Sequence, residues 1–459
     1  MDMFRWIIVR STLVRYLLPC LIYLMGCMTG EAQQRVTPQN ALQSYLNNGD
    51  TSYSWVVKDS TTLGNVKAYT LLLTSQKWRQ YTWRHQLTLL VPKDVKYTGT
   101  LLYIDGGSNS NQQPAWSRSD RMVSPMANIA TTNKAVVAVL YQTPNQPLFN
   151  NLYEDALISY TLHQYQKDGD YTWPLLFPMV KSAVRAMDAV QEFCKQRLRQ
   201  EVNGFVISGA SKRGWTTWLT GATGDRRVRA IAPMVIDVLN MPVNLEYQKQ
   251  MYGTYSEQIS DYVRLGIPQS ANTPKGKAIV AMIDPYSYRS QLTMPKLIVM
   301  GTNDEYWTID AIKHYYNDLP GSNLIHYVPN AGHSLGGGRQ AFQALSAFVG
   351  TTLQNRKYPT PTWNIESGPS AAVLTMEVQM QDLVEVVLWS ATSADRDFRN
   401  DKWTSKSMGK STIARIQVEQ PYPANGFRAF YVDLKYKAPG GGEYTVSTRA
   451  FVLSQNKVL

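Results

Sequence analysis

Cysteine is scarce in this chain: 459 residues carry three, and two of them, Cys20 and Cys27, lie close to the N-terminus. Cys194 is left by itself in the amphipathic pattern MVKSAVRAMDAVQEFCKQRL, where it reads as a buried, small apolar residue. A disulfide framework is excluded, and the folded protein must rely on its core. No asparagine begins an Asn-x-Ser/Thr triplet, which removes N-glycosylation. Lys and Arg form no block of the kind that marks a nucleic-acid-binding arm, so nucleic acid is not an expected partner. His, Cys and Asp are nowhere spaced as zinc ligands, and neither a metal nor a cofactor is expected. Internal repeats and low-complexity tracts are also missing.

Long apolar runs are absent after the N-terminus. There, Arg5, Arg10 and Arg15 precede an apolar stretch from Tyr16 to about Met28, the pattern of a secretory signal peptide. Cleavage after Ala32 follows the small-x-small rule; Leu24-Met25-Gly26-Cys27 resembles a lipoprotein box; an uncleaved anchor would need about 20 apolar residues. The expectation is a signal peptide over 1–32 and an exported mature chain, extracellular or, in a bacterium, periplasmic or lipid-anchored, without a membrane span. The net charge of +12 falls only to +11 when residues 1–32 are removed. This basic balance suits an anionic surface, a cell-surface receptor or glycan, or simply a solvated exterior.

What is plentiful is apolar and aromatic: 44% hydrophobic residues, 28 Tyr and 12 Trp, enough for a packed core and aromatic-lined clefts. SYSWVVKD, VKAYTLLLTSQ and RHQLTLLVP read as strands. TLLYIDGG, AVVAVLYQ, GFVIS, VRAIAPMVID, PKLIVMG and NLIHYVP are short, nearly continuous apolar runs separated by helical periodicity, as expected of parallel strands covered by helices on both faces. The expected fold is an α/β sandwich over 33–355, interrupted at about 142–178 and 238–292 by long segments that build either substrate walls or ordinary packing. A β-rich, sandwich-like domain is expected over 356–459.

Within this frame, GFVISGASKRGW raises the question of a nucleophile. A serine on a sharp strand-to-helix turn is exposed for attack, but it needs a base to take its proton and an acid to hold that base. Ser211 follows one apolar run, Asp304 follows PKLIVMG in GTNDEYW, and His333 follows NLIHYVP in PNAGHSLGGG. This is the order Ser, Asp, His, each after a strand. Asp237, and more weakly Glu305, are rival acids. Oxyanion donors would be the N–H of Lys212 and one from Gly107 or Ser108 in YIDGGSNSN. Two departures stand out. The usual second glycine position holds Arg213, with glycine one place late at Gly214. Lys212 and Arg213 also place two cations where a helix macrodipole disfavours them, so either a substrate anion or internal carboxylates should offset them. Arg213 and Trp307 are substrate-binding candidates; Trp215 and Trp218 read as core aromatics.

GASKRGWTTWLTGA, APMVIDVLNM, AMIDPYSYRSQLTMPKLIVMGTNDEYW and YVPNAGH, with QTPNQPL and EDALISYTL upstream, resemble the PhoPQ-activated pathogenicity-related protein family, which includes an autocrine proliferation repressor of social amoebae. The resemblance implies an α/β-hydrolase fold and an exported location, linked to virulence and peptide resistance in bacteria or to growth-repressing signals in amoebae. The elbow is also similar to that of glucuronoyl esterases, which implies that Lys212 assists an oxyanion or a uronate carboxylate. Two functions follow as expectations: a secreted serine hydrolase acting on a small-molecule, peptide or glycan ester or amide, or a signalling protein that keeps the fold while catalysis is dispensable.

Overall fold

Three alternating runs at the start form an antiparallel meander: β1 (Ser54–Leu63), β2 (Val66–Trp78) and β3 (Tyr81–Pro92). The computed structural model describes residues 35–116 and 121–459; the expected signal peptide, with Cys20 and Cys27, lies outside the described residues. The outermost strand β1 is exposed almost throughout and carries Lys58, Asp59 and a bulge between Val57 and Asp59, features that discourage pairing with another chain. Downstream lie β4 (Gly99–Ile104), a two-residue ribbon of β5 (Asn109–Ser110) and β6 (Gln113–Pro114), then β7 (Val137–Leu140), β8 (Gly204–Ala210), β9 (Val228–Met234), β10 (Lys296–Gly301) and β11 (Asn323–Val328).

The sheet order is β1-β2-β3-β7-β4-β8-β9-β10-β11, parallel from β7 to β11. The parallel strands are buried on both faces, which is why their sequences read as continuous apolar runs rather than alternating ones. Helices α1 (Ala41–Leu46), α2 (Val123–Asn133), α3 (Glu154–Asp168), α4 (Leu176–Phe193) and α5 (Lys212–Gly221) precede α6 (Met241–Tyr252), α7 (Ser260–Arg264), α8 (Pro274–Ile283) and α9 (Arg339–Leu353). Met126 and Ile129 of α2 and Ala344, Leu345 and Phe348 of α9 share one apolar cluster with Leu101, Val139, Val206 and Val299. Strand neighbours such as Leu102, Leu140 and Ile207 are equally buried and alternate to the other face, where α4 and α5 contact the sheet. Each such Leu, Ile or Val contributes about 1.5–3 kcal/mol by leaving water.

From residue 362 the chain is strand-rich: β12 (Thr362–Ser367), β13 (Ala371–Glu377), β14 (Leu383–Ser393), β15 (Thr404–Gly409), β16 (Arg415–Pro421), β17 (Phe427–Lys437), β18 (Glu443–Ser447) and β19 (Phe451–Leu453). Strands β12, β13 and β16 form a separate small sheet. The others extend the central one, because β18 bridges β11 between Ser447 and Ile325 and continues through β17, β14 and β15. An open backbone edge on β11 would be a template for stray pairing; β18 covers it, and Ser447 Oγ accepts the Tyr327 N–H at 3.1 Å. Phe430, Val432 and Leu434 of β17 belong to the same apolar cluster as α9. The region from 38 to 459 is therefore one unit. The two long segments, with α3 in one and α6, α7 and α8 in the other, follow the C-terminal ends of β7 and β9.

Candidate active site

Strand β8 ends at Ala210 and α5 begins at Lys212, so Ser211 alone makes the turn, at φ 58° and ψ −125°. A non-glycine residue in such a conformation costs about 1–3 kcal/mol and persists only when its surroundings impose it. Here the Ser211 N–H donates to Met234 O at 2.9 Å and its carbonyl accepts from Trp215 N at 2.9 Å. The glycines of the motif follow from close approach. A Cβ on Gly209 would sit 2.8 Å from Arg213 Cβ, and one on Gly214 would sit 2.7 Å from Met234 O. The late glycine thus lies where α5 crosses β9, while Arg213, one place earlier, stacks over Gly209.

The loops after β10 and β11 are laced together, with Asn303 N donating to Ala331 O at 3.0 Å, and they bring Asp304 and His333 to the serine. His333 Nε2 lies 2.8 Å from Ser211 Oγ. His333 Nδ1 lies 3.0 and 2.9 Å from the two Asp304 carboxylate oxygens, which fixes Nδ1 as the protonated nitrogen and leaves Nε2 to accept from the serine. Asp304 is buried to 5% exposure, and its Oδ1 also accepts the Tyr306 N–H at 2.8 Å. The Tyr306 ring lies over the imidazole at 4.1 Å between centroids. Of the rival acids, Glu305 accepts the His333 backbone N–H at 2.8 Å, and Asp237 turns away to accept Tyr315 OH at 2.6 Å. Burial pushes the Asp237 carboxyl up to about 8, so it is mostly neutral at pH 7 and makes a poor partner for an imidazolium.

The anions that Lys212 and Arg213 require are internal. Lys212 Nζ pairs with Asp155 at 2.7 Å and with Glu154 at 3.6 Å. Arg213 donates from NH2 to Glu154 at 2.5 Å and from Nε to Thr143 O at 2.6 Å. Its guanidinium also covers Gly106, where a Cβ would come within 2.6 Å of NH2. Arg213 is therefore a brace between the elbow, the β7–α3 segment and the loop after β4, not a free substrate ligand; Lys212 is likewise satisfied without a uronate. Burial pushes the Glu154 carboxyl up, but the charge and hydrogen bond of Arg213, with Gln146 and Lys212, outweigh it and hold the group below its ordinary value. The two cations in the sequence were a signal for these carboxylates; which of the chain's acids would meet them was not readable.

Gly107 and Ser108 lie in the loop after β4, anchored by Gln142 N to Gly106 O at 2.7 Å and Gln146 Nε2 to Gly107 O at 3.1 Å. Lys212 is the first residue of α5, where an N–H has no intrahelical acceptor. Among the described residues, no backbone hydrogen bond outside regular elements uses the N–H of Lys212, Gly107 or Ser108. A cavity of about 90 Å³ opens on Ser211, and Trp307 is on its wall. Trp218 is a core aromatic, but Trp215 lines the cavity and donates Nε1 to Ile283 O at 2.6 Å, tying the elbow helix to α8. Among the described residues no three His, Cys, Asp or Glu converge to hold a metal ion.

A contact from the C-terminal region was not foreseen. Asn303, next to Asp304, donates from Nδ2 to the carbonyls of Phe398, Arg399 and Asp401 at 3.1, 3.1 and 2.8 Å. Asn330, three residues before His333, exchanges two hydrogen bonds with Trp403, at 3.0 and 2.8 Å. The segment 398–403 thus grips both loops that carry Asp304 and His333.

The reversal of β4 and β7 within an otherwise sequential parallel sheet, the antiparallel β3, and a serine at the β8 elbow define an α/β-hydrolase fold with a Ser–His–Asp arrangement at the C-terminal ends of its strands. The family model for "PhoPQ-activated pathogenicity-related protein" matches residues 42–399. Autocrine proliferation repressor protein A of Dictyostelium discoideum is 33% identical over 428 residues, 86% of this chain and 85% of that one. The chain belongs to the PhoPQ-activated pathogenicity-related protein family. Solved structures similar to it include acetyl xylan esterase 1 from Thermoanaerobacterium, with a TM-score of 0.46 and 17% identity over 68% of this chain and 94% of that one. An S-formylglutathione hydrolase from Agrobacterium tumefaciens has a TM-score of 0.42 and 12% identity over 65% and 99%. Among the described residues no helix is long and apolar enough to cross a membrane.

Proposed function

We propose that this protein is an exported serine hydrolase that cleaves an ester or amide through an acyl-enzyme on Ser211. The observation that carries this reading is the unbroken chain Asp304–His333–Ser211, with contacts of 2.9–3.0 and 2.8 Å. As Ser211 Oγ attacks the carbonyl, its proton passes to His333 Nε2, and Asp304 stabilises the imidazolium through Nδ1–H. The N–H groups of Lys212 and of Gly107 or Ser108 receive the oxyanion. The imidazolium then protonates the departing oxygen or nitrogen, and a water, deprotonated by the same nitrogen, releases the acid. Folded wild-type protein should be labelled covalently by a fluorophosphonate, and Ser211→Ala should abolish labelling and lower kcat/KM on the order of 10⁴-fold or more. Folded wild-type protein that resists the probe would refute the reading.

Export rests on the Arg-flanked apolar stretch at residues 5–28 and predicts a secreted protein whose mass lacks about 32 residues. A second reading, a signalling protein, is favoured by the name of its amoebal relative. Undiminished signalling by Ser211→Ala would separate that role from the triad.

A further inference from the structure

We infer that the group transferred to Ser211 is an apolar acyl chain of intermediate length, held in the cavity that the 238–292 segment closes over the elbow; this rests on the hydrolase reading above. The cavity is bounded by Ser211 and Trp215 from the elbow, Ile236 after β9, Leu245 of α6 and Ile279 and Ile283 of α8. Most of its polar wall groups are already paired, Asp155 with Lys212 and Tyr262, and Trp215 with the Ile283 carbonyl; Trp307 Nε1 is a buried donor left without a partner. Asp155 receives Lys212 Nζ at 2.7 Å and Tyr262 OH at 2.9 Å, so a charged or hydroxyl-rich group entering here would lose its hydration for at most the single indole donor of Trp307. Hydrocarbon makes no such demand.

The position of the histidine assigns which half of the substrate enters. His333 touches Ser211 Oγ but is not on the cavity wall. Because His333 Nε2 must reach the departing oxygen, the leaving group lies on the histidine side, and the acyl half is directed to the other side, into the cavity. In that step the Oγ–carbon bond forms as the ester C–O bond breaks, the serine proton leaves with the alcohol, and water later restores both. A cavity of about 90 Å³ with a mostly apolar wall suits several methylenes beyond the carbonyl and leaves an acetyl group largely unsupported.

The test compares p-nitrophenyl acetate, hexanoate and dodecanoate on enzyme whose fluorophosphonate labelling has been verified. Each buried methylene should raise kcat/KM about fourfold, so hexanoate, with four more methylenes, should exceed acetate by roughly 250-fold, and dodecanoate should gain nothing further. Ala271→Phe, which fills the cavity from its wall, should lower the hexanoate-to-acetate ratio by about tenfold or more; Val280→Trp serves the same purpose if that variant does not fold. Labelled enzyme that prefers acetate, or a ratio that neither variant moves, overturns the inference while leaving the hydrolase intact. Folded protein that is not labelled removes the hydrolase reading itself, and the inference with it.

Discussion

Replacing Glu154 by Gln tests whether the two cations at the start of α5 are braced internally. The substitution keeps the shape and the acceptor oxygen that Arg213 NH2 reaches at 2.5 Å but removes the charge. Arg213 and Lys212 are 11% and 12% exposed, so both guanidinium and ammonium would be left in a poorly hydrated site. Each also faces the helix macrodipole, worth about 0.3–1 kcal/mol. Breaking a buried pair from one side costs about 3–5 kcal/mol. Glu154 is 34% exposed and Asp155 still holds Lys212, and these two facts lower the expected loss to about 2–3 kcal/mol. For a folded unit of roughly 420 residues that is a fall in Tm of about 3 °C by calorimetry. Arg213→Met should cost less in the Glu154→Gln background than in the wild type, with a coupling of about 2 kcal/mol. The pH dependence has a definite sign. The Glu154 carboxyl is held below its ordinary value of 4.5, so its stabilisation is present above that pH and is lost as pH falls through the folded-state value. The difference between wild type and Glu154→Gln should therefore shrink in acid. A loss under about 0.5 kcal/mol, well below the cost of breaking a buried pair, or a gap that widens in acid, would refute the internal brace.

Two further outcomes follow from the site. Asn303→Ala removes the grip on the Phe398, Arg399 and Asp401 carbonyls at about 1–3 kcal/mol; kcat should fall roughly tenfold with KM little changed, and amide exchange in 398–403 should quicken, whereas an unchanged kcat would confine those contacts to a structural part. Asp237 is held protonated by burial, with its value raised from 3.8 to about 8. Its contribution to stability is therefore full below pH 3.8 and is lost as pH rises through about 8, so urea unfolding of Asp237→Asn should show a flatter pH dependence across that window, and an undiminished slope would contradict the assignment.

The parallel strands were legible because burial on both faces leaves a run of apolar residues with nothing to alternate. Ser211, Asp304 and His333 were legible because each stands just after such a run, and the sheet brings strand ends to one side. The late glycine was not explicable in sequence, since Met234, whose carbonyl approaches this point of α5, lies on the separate strand β9. For the same reason Glu154 and Asp155 were visible as YEDAL but not as the partners of Lys212 and Arg213. The C-terminal strands were readable as strands; that β18 would bridge β11 and extend the central sheet depends on backbone hydrogen bonds, which leave no pattern in side chains.

Residue type and local spacing were enough to set the strand and helix periods and the order in which Ser211, Asp304 and His333 follow their strands. Folding was needed to choose Asp304 rather than Asp237 for the imidazole, to turn the elbow cations toward internal carboxylates, and to bring the 398–403 segment onto the loops of Asp304 and His333. Those choices are set by distances between residues far apart in the chain, and charge and hydrogen bonding act over a few ångströms of space, whatever the separation along the backbone.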